Sequence, residues 1–151
     1  MRTGMLSRMA PQAASGGIAD VNGAFVRRVA NQAIPTAGNT AISWDTEDRD
    51  EGGYWAGGTP TRITFAANGW YSLSVGITWE GIGTGIRVID WLINGITWRR
   101  IGYSPFRAVA VDQGGGLVRY FSAADYVEAV VFQDRGGDLN LTGWLGVVAL
   151  F

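Results

Sequence analysis

Tyr71 to Trp79 alternates without a fault: Tyr71, Leu73, Val75, Ile77 and Trp79 fall on one side, and Ser72, Ser74, Gly76 and Thr78 on the other. A period of two held this long predicts a β-strand with one buried face across Trp70–Glu80. Upstream, Thr40–Trp44 (TAISW) and Thr61–Phe65 (TRITF) predict shorter strands, the second turned into the long one by Ala66-Ala67-Asn68-Gly69. Between them Asp45–Gly53 (DTEDRDEGG) is acidic and then glycyl, which predicts an exposed loop. Downstream, Arg87–Ile93 and Ile96–Ile101 flank Asn94-Gly95. Asn-Gly between two apolar runs predicts a hairpin with a type I′ turn, because both central residues of that turn need positive φ. Phe106–Val111, Leu117–Phe121, Tyr126–Gln133 and Leu139–Phe151 predict further strands, separated by DQGGG, SAAD and DRGGD.

The tetrapeptide GITW occurs twice, at Gly76–Trp79 and Gly95–Trp98. The first closes a strand and the second opens one after a turn, so the recurrence is not an internal repeat. No segment carries a helical period. Short strands with glycine-rich turns every eight to twelve residues predict an all-β sandwich or barrel over residues 23–151, in keeping with 23 glycines in 151 residues. Residues 1–22 have no apolar period and are rich in Ala, Gly, Ser and Met, which predicts an extended N-terminal arm.

Composition narrows the chemistry. The formal net charge is -1, from 12 basic and 13 acidic residues, so no concentrated positive field awaits a nucleic acid or an anionic membrane. Every basic residue is Arg, and Cys, His and Lys are absent. Thiolate nucleophiles, imidazole bases, Schiff bases and Cys- or His-ligated metals are thereby excluded. Met1–Ala10 contains Arg2 and Arg8 but no apolar run of signal-peptide length, and no stretch reaches the roughly 18 apolar residues of a membrane helix.

The remaining candidates are few. Asp45, Glu47, Asp48, Asp50 and Glu51 could gather around Ca²⁺, but they lack the spacing of an EF-hand loop and include Arg49, so a solvated loop is the expectation. Gly81–Gly85 (GIGTG) joins two strands and lacks the helix start of a phosphate cradle. Asp90, Asp125 and Glu128 could form a glycosidase carboxylate pair, or be strand-edge charges. Trp55, between glycines with Tyr54 beside it, is a candidate exposed stacking or interface residue; the alternative is that both cap the core. Arg87, Arg99 and Arg100 could form an intersubunit ion-pair belt or lie on a solvated sheet face. No catalytic residue, cofactor or metal is expected.

From Ala24 to Phe151 the chain resembles the C1q/TNF-like jelly-roll superfamily as it occurs in bacteriophage structural proteins. The resemblance is carried by Tyr54 and Trp55 before glycine-rich turns and by TRITFAANGWYSLSVGITWE, in which Gly69-Trp70-Tyr71 stands at the family's Gly-x-Tyr. It continues in Arg87 with Asn94-Gly95, in Ala124-Asp125-Tyr126-Val127 at the family's Gly-Asp-x-Val, and in the closing TGWLGVVAL. The family's glycine is Ala124 here.

The resemblance implies a single antiparallel jelly roll of about ten strands, a homotrimer around a three-fold axis with aromatic and apolar residues of the central strands meeting there, and no catalysis. The expected function is that of a trimeric capsid decoration (cement) protein on the virion surface. Its partner would be the major capsid protein or another virion protein, held through the arm: Met1, Met5, Leu6, Met9 and Ile18 as apolar anchors, Arg2 and Arg8 as partners for carboxylates. The alternative is the receptor- or carbohydrate-binding tip of a phage fibre or spike. A stalk of coiled coil, collagen-like triplets or β-helix normally precedes such a tip, and none is written in this chain.

Overall fold

The structure is a computed structural model that describes residues 22–80, 84–104 and 111–150. Ten strands are formed and, among the described residues, no helix: β1 (Gly23–Ile34), β2 (Thr40–Ala41), β3 (Thr46–Asp50), β4 (Arg62–Thr64), β5 (Gly69–Trp79), β6 (Arg87–Ile93), β7 (Ile96–Ser104), β8 (Val111–Phe121), β9 (Tyr126–Gln133) and β10 (Leu139–Ala149). They make two antiparallel sheets. The first runs β3-β1-β10-β5-β8; the second runs β2-β9-β6-β7, with β4 also paired to β9. Chain neighbours repeatedly lie in different sheets, which is the strand exchange of a jelly roll. The expected all-β sandwich is therefore what the chain forms. The arm, its proposed anchors Met1, Arg2, Met5, Leu6, Arg8, Met9 and Ile18, and most of Phe106–Val111 lie outside the described residues.

The long alternating segment behaves as its pattern demands. Tyr71, Leu73, Val75, Ile77 and Trp79 are all buried between the sheets. Facing them from the second sheet are Ile89, Trp91, Val127, Ala129 and Val131, also buried. Phe65 and Phe121 stack at 4.0 Å between ring centroids, and Tyr71 closes on Phe65 at 4.6 Å. The two GITW words meet opposite fates. Trp79 is in the core with its indole N–H donating to Gln113 Oε1 at 2.6 Å, whereas Trp98 stands on the exposed β7. Between β6 and β7, Asn94 (φ 51°) and Gly95 (φ 79°) both take the positive φ that the hairpin turn requires.

Three expectations need correction. Thr46–Asp50, expected as loop, is the edge strand β3, paired with β1. Its side chains mostly face solvent, so it carries charge instead of alternation, which is how exposed sheet edges are protected from further pairing. Asp112–Gly116, expected as a turn, lies inside β8, which pairs with β5 without interruption from Trp79↔Val111 to Gly69↔Phe121. Of Thr40–Trp44, only Thr40 and Ala41 join a ladder, although Ile42 and Trp44 are buried.

Ala124 carries a positive φ of 70°. A glycine would adopt this freely, and an alanine does so at a cost of about 1 kcal/mol. Its N–H donates to Phe65 O at 2.8 Å, which ties the turn to the core and holds it there.

β1 shows how an acid predicted to be loose becomes structural. The β1–β10 register shifts between Arg28 and Gln32. The freed N–H groups of Val29 and Ala30 donate to the carboxylate of Asp45 at 2.9 and 3.0 Å, and Arg28 pairs with it at 3.2 Å. Burial pushes the Asp45 pKa up, but these two amides, the Thr46 hydroxyl and Arg28 outweigh it and leave it below the usual carboxylate range.

Candidate functional site

Register fixes what the outer face of the first sheet displays. Across β1, β10, β5 and β8 the outward residues fall in rows: Gly23–Val148–Ser72–Val118, then Phe25–Gly146–Ser74–Gly116, then Arg27–Trp144–Gly76–Gly114. Trp70 and Tyr120 form a further pair at the β5–β8 end. Six of the ten large apolar side chains exposed among the described residues are on this one face: Phe25, Trp70, Val118, Tyr120, Trp144 and Val148. Scattered exposed apolar residues need no explanation, but a contiguous set marks an interaction surface.

The relief of that face depends on its glycines. A Cβ at Gly76 would meet the indole of Trp144 at 2.5 Å, so the ring lies directly on the β5 backbone. Phe25 stacks on Trp144 at 5.7 Å and 22°, which makes one aromatic ridge. Trp70 and Tyr120 meet edge to face at 6.0 Å and make a second. The glycine and serine lane beside Trp144 is hollow. One depression of about 550 Å³ is lined by Ser74, Gly76, Thr78, Asp112, Gly114 and Trp144. Another of about 240 Å³ is lined by Phe25, Arg49, Ser72, Ser74, Gly146 and Val148. The charges on this face are Asp112 and Arg49, which line the depressions, and Arg27 beside Trp144; Arg27 pairs with Asp48 and Arg49 with Glu51 at 2.6 Å.

A second apolar surface lies on the side where, among the described residues, both sheets end, β8 being the edge strand of one and β7 of the other. Ile96, at 73% exposure, and Trp98 project there, and the Arg119 guanidinium sits 5.0 Å from the Trp98 ring centroid.

The residues singled out from sequence are placed elsewhere. Tyr54 is 3% exposed and packs edge-on against Phe65 and Tyr71. Trp55 is half-buried, its indole N–H donating to Pro60 O at 3.2 Å. Asp50 explains both, because its carboxylate accepts the N–H groups of Gly52, Tyr54 and Trp55 and folds the glycine-flanked loop onto the core. Neither is the exposed contact that the flanking glycines suggested.

Asp90 pairs with Arg100 at 3.2 Å, and Glu128 accepts from Thr61 Oγ1 at 2.6 Å and faces Arg62. Asp125 accepts from Asn94 Nδ2 and Ser122 N, each at 2.8 Å, and is held below the usual carboxylate range by the Asn94 bond first and the Ser122 amide second. Each of the three carboxylates is thus taken by its own partners. Among the described residues no three acids gather to hold a metal ion, and the chain of 45–51 is spread along a strand.

Arg87 does not join Arg99 and Arg100 in a belt. Strand parity places it with Ile89 and Trp91, and it is 2% exposed with Nε and Nη1 lacking hydrogen-bond partners. Burial, with Arg135 adding to it, lowers its pKa.

Burial pushes the Tyr54 hydroxyl up to about 12, with Tyr71 and Asp50 contributing. Its stabilising effect is complete below the unfolded tyrosine value of about 10 and is lost as pH rises toward the folded value, a loss on the order of 2 kcal/mol. Urea unfolding at neutral pH and near pH 12 should show this alkaline loss in the wild type and a smaller one in Tyr54→Phe. Equal losses in the two proteins would assign the effect to another group.

The fold is a C1q/TNF-like jelly roll. The globular domain of zebrafish complement 1qA protein superposes with a TM-score of 0.66 at 12% identity, covering 86% of this chain and 98% of that one. Eiger TNF from S. frugiperda gives 0.61 at 12% identity, over 87% and 93%. Murine APRIL gives 0.60 at 15% identity, over 85% and 99%. Compared by sequence, the chain matches no family model and no curated protein. At these identities the C1q/TNF-like likeness is one of fold.

Proposed function

We propose that the chain is a non-enzymatic structural protein of a virion: a homotrimeric capsid decoration protein held to the shell by its N-terminal arm. The observation that carries the trimer is the presence of two different apolar surfaces on each subunit, a ridged and hollowed sheet face and a separate edge bearing Ile96 and Trp98. A two-fold dimer uses one self-complementary patch, whereas a closed ring of three needs two unlike patches that fit each other. Burying ~1,000 Å² of apolar surface per subunit would contribute roughly 25 kcal/mol gross, before the costs of association.

Cyclic symmetry then supports a role in attachment. The chain enters the sandwich at Asn22, which is tied down where its carbonyl accepts Ala149 N–H at 2.8 Å and its side chain accepts the Tyr54 hydroxyl at 3.1 Å. In a three-fold assembly all three arms leave the same end of the particle. Three arms engaging together raise one another's effective concentration. Met1, Met5, Leu6, Met9 and Ile18 supply adaptable apolar contacts, and Arg2 and Arg8 supply charge. The rival reading, a receptor-binding tip, gains nothing from Tyr54 and Trp55, which the core takes up.

Deleting residues 1–17 should leave a folded trimer of nearly unchanged melting temperature that no longer co-sediments with capsids. A truncated trimer that decorates capsids as tightly as the full chain would place attachment on the β domain.

A further inference from the structure

The outward face of the second sheet holds a pocket away from the first-sheet aromatic face and bordered by β7. Tyr103, Val88 and Phe132 form one row across β7, β6 and β9, and Arg100, Asp90 and Val130 form the next. A β-bulge in the β6–β7 pairing between Ile89 and Asp90 puts Arg100 on the same face as Tyr103, and a second between Trp91 and Leu92 brings Thr97 to it. Tyr103, Val88, Phe132, Arg100 and Asp90, with Asn39, Ile86 and Thr97, line an open depression of about 440 Å³. This is within the range of small-ligand sites.

Its chemistry is specific. Tyr103, 55% exposed, and the half-buried Phe132 stand on either side of Val88, about 9.6 Å apart by strand spacing, and give the pocket an apolar floor with two aromatic walls. Beside that floor lies an ion pair, Arg100 Nε to Asp90 Oδ1 at 3.2 Å. Asp90 Oδ2, the Arg100 Nη atoms, the Asn39 amide and the Tyr103 hydroxyl make no hydrogen bond to any described residue. A mostly buried carboxylate next to an exposed guanidinium offers an acceptor and donors to adjacent hydroxyl groups, and the aromatic walls offer faces for C–H groups. The pair is already neutral. An anion on the Arg100 Nη atoms would face the Asp90 carboxylate, a cation on Asp90 would face the guanidinium, and a purely apolar ligand would strip water from the remaining donors and acceptor without replacing it.

From this geometry we infer a binding subsite for one neutral pyranose ring of a glycan. Its C–H face would rest over Val88 between Tyr103 and Phe132, with two neighbouring hydroxyls on the Asp90–Arg100 pair. The site does not depend on the capsid role, since it uses neither the first-sheet face nor the arm. In a trimer it would be present three times, so weak single-site binding would become firm attachment to a glycan-coated surface.

Saturation-transfer NMR on the full chain, with the methyl glycosides of glucose, galactose, mannose and N-acetylglucosamine and with sialic acid as the acidic comparison, tests this. At least one neutral glycoside should receive saturation at its ring C–H protons. Its apparent affinity should fall tenfold or more in Tyr103→Ala and in Arg100→Gln, and stay unchanged in Thr64→Ala, an exposed position on β4 outside the pocket. Both pocket residues are exposed, so the variants should fold, and unchanged melting and mass would confirm it. No transfer to any neutral glycoside, transfer only to sialic acid, or transfer undiminished in folded Tyr103→Ala would each overturn the inference.

Discussion

Trp144→Arg should turn the proposed trimer into folded monomers. The indole lies flat over Gly76, stacks on Phe25 and forms one wall of the larger depression. It stands outside the core, on the face opposite Leu145 and Val147, so a monomer has no need of it for folding. An arginine there would put a second cation next to Arg27, its cross-strand neighbour, in the middle of the aromatic ridge, three times per proposed ring. An unpaired charge removed from water costs several kcal/mol, and the cost recurs at each interface. The expected outcome by size-exclusion chromatography with light scattering is a mass of one chain, with β-rich circular dichroism retained. A variant that keeps the wild-type mass would show that this face is not the contact.

Phe121→Ala should act in the opposite way, on the fold itself. Phe121 is fully buried, stacked on Phe65 at 4.0 Å with Tyr71 at 6.2 Å. Truncating a buried Phe typically costs about 3–5 kcal/mol, from lost transfer energy and the cavity left behind. Domains of this length rest on about 5–15 kcal/mol in total and lose roughly 2–4 °C of melting temperature per kcal/mol, so a fall on the order of 10 °C is expected. Phe25→Ala is the matched comparison: the same residue type, but exposed on the sheet face at 36%. In a monomeric background such as Trp144→Arg it should shift melting by only a degree or two. If the two Phe substitutions cost the same in that background, the division between core and interface aromatics is wrong.

How legible each part was from sequence depended on what determines it. The β5 alternation and the Asn94-Gly95 hairpin are local, and local pattern found them. β3 has no apolar stripe because its neighbour β1 covers only one edge and solvent takes most of the rest, so its acids read as loop. Three consecutive glycines in β8 read as a turn by local propensity. Their extended form is set by pairing along all of β5, and a Cβ at Gly114 would stand 2.8 Å from the Val75 carbonyl. Sequence left Tyr54 and Trp55 open between exposed contact and core cap, because the carboxylate that folds them inward, Asp50, belongs to a strand that the pattern did not reveal.

The interface signal was present in part. Alternation in β10 places Trp144, Gly146 and Val148 opposite Leu141, Leu145 and Val147, so a large apolar residue had to face outward. That Trp70, Tyr120 and Phe25 share the same face follows only from register across four strands, which no single segment encodes.

The central claim is the ring of three, and the mass of the intact chain in solution tests it most directly. Light scattering at micromolar concentration should give three times the 16.2 kDa of one chain, with no change on modest dilution. A mass of 16.2 kDa would contradict it, leaving the aromatic face of β1, β10, β5 and β8 for some other partner.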